Sequence, residues 1–117
     1  HTAALTQQHV VLREDHMRSP IIMKLEAARI GKCYAALEAQ LARGDYLVGA
    51  FSAADIAVGQ AVYMARHFTR LDGFRRVTQW YEMLTARPAF QKSLPPEGAS
   101  LLYDKDFYPA WDLPDHG

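Results

Sequence analysis

Residues 21–42 constrain the fold more than any other part of the chain. The stretch holds no proline, and Ile30, Tyr34, Leu37 and Leu41 recur at steps of four, three and four. Only a helix gathers that spacing onto one face, so the remaining elements must cover a long apolar stripe. Ser19-Pro20 marks the start. The residue before a proline is driven out of the helical region, while proline itself suits the first helical position. Gly44 is the expected left-handed cap beyond the end.

The other segments read as helices too. Residues 3–17 are strong helix formers without Gly or Pro. Residues 53–67 carry Ile56, Ala57, Val58, Ala61, Val62, Met64 and Ala65 over more than one stripe, which predicts a helix buried on most sides. Residues 74–86 place Phe74, Val77, Tyr81 and Leu84 on one face, with Trp80 beside it, and Trp80 and Tyr81 are expected in the core. Pro88 can open a short helix through Phe90 to Lys92. No alternating pair of strands is visible. The expected fold is all-α, a bundle of about five helices over residues 1–94, with residues 95–117 as an extended tail laid over it. The tail aromatics Tyr103, Phe107, Tyr108 and Trp111 would cover the bundle or lie near a substrate cleft.

The third of these helices opens on Phe51-Ser52-Ala53-Ala54-Asp55-Ile56. Ser52 and Asp55 have the spacing of a capping box, with Asp in place of the commoner Glu or Gln. Phe51 and Ile56 flank it at the positions of a hydrophobic staple. A buried helix needs such a device because water cannot reach its free N–H groups. A catalytic Ser/Asp pair is the alternative, but no histidine lies nearby in sequence to complete it.

Composition removes several functions. Of 117 residues, 13 are basic and 13 acidic, for a net charge of zero, whereas a nucleic-acid binder carries a basic excess. No run of about 18 apolar residues exists to span a membrane, and the first residues lack a signal-peptide pattern. A single cysteine, Cys33, excludes an internal disulfide framework and suits a reducing, cytoplasmic compartment. Within its helix Cys33 is expected as a small buried hydrophobe. Since His1 is no initiator, a fragment, a processed product or a tag remnant is expected.

Two stretches carry a family resemblance. "LEAQLARGDYLVGAFSAADIAV" is similar to the region of glutathione transferases where one helix ends, a short turn follows and an N-capped helix opens the core. "VTQWYEMLTARPAFQKSL" resembles that family's later helix and closing turn. Together they span residues 37–94 in the family's order. The resemblance is to the all-helical C-terminal domain of such enzymes, with a bacterial type favoured. It implies a thioredoxin-like N-terminal partner domain, glutathione as co-substrate of the whole protein, a small apolar electrophile and a homodimer built on the first two helices. The family's activating Tyr, Ser or Cys belongs to the other domain, so no catalytic residue carries over and this chain alone is expected to be inactive. The same helical fold also resembles non-catalytic modules that join proteins together, and that reading stands as the alternative. A thioredoxin-like sequence upstream would favour the enzyme, and a different domain the module.

Candidate binding residues follow from the resemblance. His16, Met17 and Arg18 precede Ser19-Pro20, much as a basic stretch in bacterial transferases lines the cleft between domains and contacts glutathione or the second substrate. A cation there would favour a nearby thiolate; otherwise the three residues are a solvated helix end. His9 and His16 could share a helix face, but two turns separate them, too far for one metal ion, so no metal site is expected. His67 reads as a cation-compatible helix end, and Arg75-Arg76 as an exposed helix start.

Overall fold

The computed structural model describes residues 1–110, and the expected position of Trp111 lies outside them. Among these residues the architecture is all-helical. Helix α1 (Thr2–Thr6) continues as a wider π-helical turn (Gln7–Val11), and a single 3-10 turn (Asp15–Met17) precedes α2 (Pro20–Leu41). Then come α3 (Ala53–Ala65), α4 (Arg75–Thr85) and the short α5 (Pro88–Ser93). Strand-like pairing is limited to two isolated bridges in the loop before α3, Tyr46 with Gly49 and Val48 with Ala50.

Helix α2 buries Met23, Ile30, Tyr34 and Leu41, the stripe that its spacing dictates. Leu5 of α1 and Val77, Trp80 and Leu84 of α4 complete the core with Val62 and Ala65 of α3. Two hydroxyl groups tie this packing together. The Tyr34 hydroxyl donates to the Thr69 carbonyl at 2.9 Å, and the Thr69 hydroxyl donates to the Ala27 carbonyl at 2.8 Å, lacing the α3–α4 loop to α2. Helix α4 has no side-chain cap at its own N-terminus. Glu38 of α2 fills that role, its carboxylate accepting from the N–H groups of Arg76 at 3.0 Å and Val77 at 2.9 Å.

Several expectations are corrected. The first helix does not reach residue 17, because Leu12 turns extended after Val11. That break is held by side chains from beyond it: Arg18 Nε donates to the Leu12 carbonyl at 3.0 Å, and the Ser19 N–H donates to Gln8 Oε1 at 2.7 Å. His9 and His16 therefore do not share one helix. Gly44 is not the left-handed residue, since α2 ends through Ala42 in helical conformation; Gly49, at φ 93°, takes the left-handed position nearer α3. Helix α3 stops at Ala65 and buries one face only, Asp55, Gly59, Val62 and Ala65, leaving Ile56 62% exposed. Cys33 is exposed as well, because it falls one residue ahead of Tyr34 and outside the buried stripe.

Residues 95–110 contain no helix or strand, and part of this segment packs on the bundle. Tyr108 is buried, its N–H donating to the His67 carbonyl at 2.7 Å. The Tyr103 hydroxyl meets Thr6 Oγ1 at 2.8 Å, and Phe107 lies under the Arg70 guanidinium. His67 is consequently no solvated helix end. It is buried, with Nδ1 2.9 Å from the Asp106 carbonyl and its ring against Tyr103.

Candidate functional site

His16, Met17 and Arg18 occupy the 3-10 turn and the extended residue after it, on the outside of the α1–α2 break. His16 Nδ1 is 3.3 Å from a Glu14 carboxylate oxygen, with both side chains open to solvent, and Met17 is 52% exposed. Arg18 behaves differently. Its guanidinium folds back to donate to the carbonyls of Leu12 and His9 and to Asp15 Oδ1 at 2.8 Å. Those donations close the end of the first helical segment, where carbonyls lack intrahelical partners. His16 and Met17 thus face outward, while Arg18 fixes the turn that presents them.

The second group of predicted residues surrounds the start of α3. Ser52 is extended at the N-cap; its Oγ accepts from the Ala54 N–H at 3.2 Å, and its own N–H donates to Asp55 Oδ2 at 2.9 Å, in capping-box geometry. Asp55 has no exposure at all. Its other oxygen accepts from the Leu47 N–H at 3.1 Å and from Trp80 Nε1–H at 2.8 Å. Burial pushes this carboxyl up, but the bonds from Trp80, Leu47 and Ser52 outweigh it and hold the group below the usual carboxylate range. A carboxylate with no exposure and three donors already bound is out of reach of a substrate proton. It organises structure and cannot serve as a base.

Phe51 and Ile56, expected as a staple, both line a groove of about 460 Å³ between α3, α4 and α5. The Phe51 ring packs T-shaped with Tyr46 at 5.7 Å and has the Arg87 guanidinium carbon 3.4 Å from its centroid. Gly59 permits the close approach beneath: a β-carbon there would meet Leu84 Cδ1 at 2.9 Å. Tyr81, Leu84 and Phe90 continue the wall. Sequence reasoning missed this feature as a groove, although "ARPAF" marked the segment that builds one side of it.

Activating groups are scarce. Burial raises the hydroxyl pKa of Tyr34, and it raises those of Tyr81 and Tyr108 too, so all three stay protonated at neutral pH. Among the described residues, no group of three His, Cys, Asp or Glu side chains is placed to hold a metal.

The family model described as the glutathione S-transferase C-terminal domain fits residues 20–82, from the first residue of α2 through α3 and into α4. No curated protein and no solved structure matches the chain.

Proposed function

Because the chain belongs to the glutathione S-transferase C-terminal domain family, we propose that it forms the helical half of a transferase that conjugates glutathione to apolar electrophiles. A thioredoxin-like domain would hold glutathione and supply the group that lowers the barrier to thiolate formation. The helical half would furnish the apolar-substrate side of the cleft, with His16 and Met17 facing it and Arg18 holding their turn. The observation that carries this reading is the family match across three consecutive helices. The exposed apolar residues Ile21, Ile22 and Leu25 on the outer side of α2 support a homodimer formed through the first two helices, since such surface tends to be covered in an assembled protein. No described helix is long and apolar enough to cross a membrane.

The test is a conjugation assay with a chloronitroarene and glutathione, run on this chain and on the same chain in its natural sequence context. Turnover is expected only where a thioredoxin-like domain is attached. Turnover by the chain alone would overturn the placement of the chemistry, and an unrelated attached domain would overturn the enzyme reading.

A further inference from the structure

Residues 103–108 of the tail pack against the π-helical turn that ends the first helical segment. The contact is an aromatic cluster drawn from three parts of the chain. His9 of the π turn stacks on Phe68 at 5.5 Å, Tyr103 meets the Phe68 ring at 5.5 Å, and Tyr108 lies 5.6 Å from both His9 and Phe68. Of these rings only His9 changes charge near neutrality, and its buried Nε2 has no hydrogen-bond partner among the described residues. The charged groups around it do not welcome a proton. Arg18, from the turn before α2, donates to the His9 carbonyl at 3.3 Å, and Lys105 of the tail stands over the Tyr108 ring. Both cations disfavour a positive ring at His9. The nearby carboxylates are engaged elsewhere: Asp15 accepts from Arg18 and Asp104 from the Tyr108 hydroxyl, each at 2.8 Å. On the side of the α3–α4 loop, His67 turns Nδ1 to the Asp106 carbonyl at 2.9 Å, Arg66 faces the Asp106 carboxylate at 3.8 Å, and Arg70 lies over Phe107.

We propose that residues 103–108 form an acid-released strap, held against the π turn while His9 is neutral and let go when His9 takes up a proton. A protonated ring would put an N–H in a buried spot without an acceptor and add a further cation beside Arg18 and Lys105. The tail is the element that yields. Arg18 is fixed by bonds to Leu12, His9 and Asp15, and the π turn closes on itself through the Leu12 N–H and Gln7 carbonyl at 2.9 Å. The tail brings Lys105 and the Tyr108 ring to His9, yet it has no helix or strand of its own to hold it. Its ties are side-chain contacts and the bond from the Tyr108 N–H to the His67 carbonyl at 2.7 Å. A segment so attached can open at much less than the free energy of global unfolding. His67 does not share the trigger, because an Nδ1–H donates to the Asp106 carbonyl whether that ring is neutral or charged. The sign follows from linkage: the closed strap is fully favoured above the ordinary histidine value of about 6.5 and loses its hold as pH falls through the lower value of the buried ring. Release would uncover Phe68, which is 2% exposed beneath the closed strap. The inference is independent of whether the chain takes part in conjugation.

Amide hydrogen exchange on the full chain tests the strap, with the Tyr108 N–H as reporter and each rate divided by that of an unstructured peptide at the same pH. Measurements would run from about one pH unit above the ordinary histidine value to about one below it. The Tyr108 rate should rise several-fold on acidification, while the Tyr34 amide in the middle of α2 keeps its protection. His9→Phe retains a ring against Phe68 and should leave the Tyr108 rate flat across the interval. His9→Gln is a second non-titrating variant that does not depend on how a larger ring packs, and its profile should be flat as well. A flat wild-type profile, a parallel rise at Tyr34, or the wild-type rise persisting in the His9 variants would each overturn the proposal.

Discussion

The indole Nε1–H of Trp80 donates to Asp55 Oδ1 at 2.8 Å inside the bundle, joining α4 to the first turn of α3 across 25 residues of chain. Both partners are essentially solvent-free. The same carboxylate caps its own helix through Ser52 and holds the preceding loop through Leu47. One side chain thereby sets where α3 begins, how the loop enters it and which face of α4 packs on it. Trp80→Phe should cost about 3 kcal/mol in urea unfolding, combining a lost bond to a charged acceptor with a small void. A loss no greater than that of a surface substitution would show that the bond contributes little.

The same carboxylate predicts an acid dependence. Its pKa is lower in the folded chain than in the unfolded one, so its contribution is complete above the unfolded value of about 4 and disappears as pH falls through the folded value. Unfolding free energy measured from neutral to acid pH should decline in that window. Asp55→Asn should be less stable at neutral pH and show a shallower decline, because an amide cannot ionise. A parallel pair of curves would remove Asp55 from the acid response.

Glu38 offers a separate test of how α4 starts. Phe74 occupies the N-cap position and provides no side-chain acceptor, so the two first-turn N–H groups depend on a carboxylate from α2. Glu38→Ala should cost about 1–2 kcal/mol, the scale of a lost cap. Glu38→Gln should recover part of that, since an amide oxygen still accepts. Hydrogen exchange at Arg76 and Val77 would report the loss directly.

How legible these features were in the sequence depended on the reach of the interaction. Ser52 and Asp55 lie three apart, so a capping arrangement could be proposed from spacing alone. The donors Trp80 and Leu47 could not, because only the tertiary fold brings them to the carboxylate. Cys33 departs for a different reason: the period through Ile30 and Tyr34 places it off the buried face, against the general preference of cysteine for interiors. The end of the first helix at Val11 was hidden because neither Gly nor Pro marks it; Gln8 and Arg18 stabilise the break through bonds to the chain beyond and before it. Ile56 looked like core because its neighbours are apolar, whereas the groove depends on α5 lying opposite.

His9 supplies the last prediction. Its ring stacks on Phe68 at 5.5 Å and leans on Tyr108 at 5.6 Å, with a buried Nε2 that has no hydrogen-bond partner among the described residues. Burial lowers its pKa, and the charges of Arg18 and Lys105 lower it further. Protonation is therefore easier in the unfolded chain than in the folded one. The associated stability is complete above the unfolded value of about 6.5 and is lost as pH falls from there through the folded value. Thermal midpoints taken at mildly acidic and mildly alkaline pH should differ in the wild type, with the tail around Tyr108 loosening first. His9→Phe keeps an aromatic ring against Phe68, removes the unpartnered nitrogen and cannot titrate, so its melting temperature should match or exceed the wild-type value and change less across that interval. If His9→Phe retains the full pH dependence, the proton is being taken up elsewhere and His9 is not the group responsible.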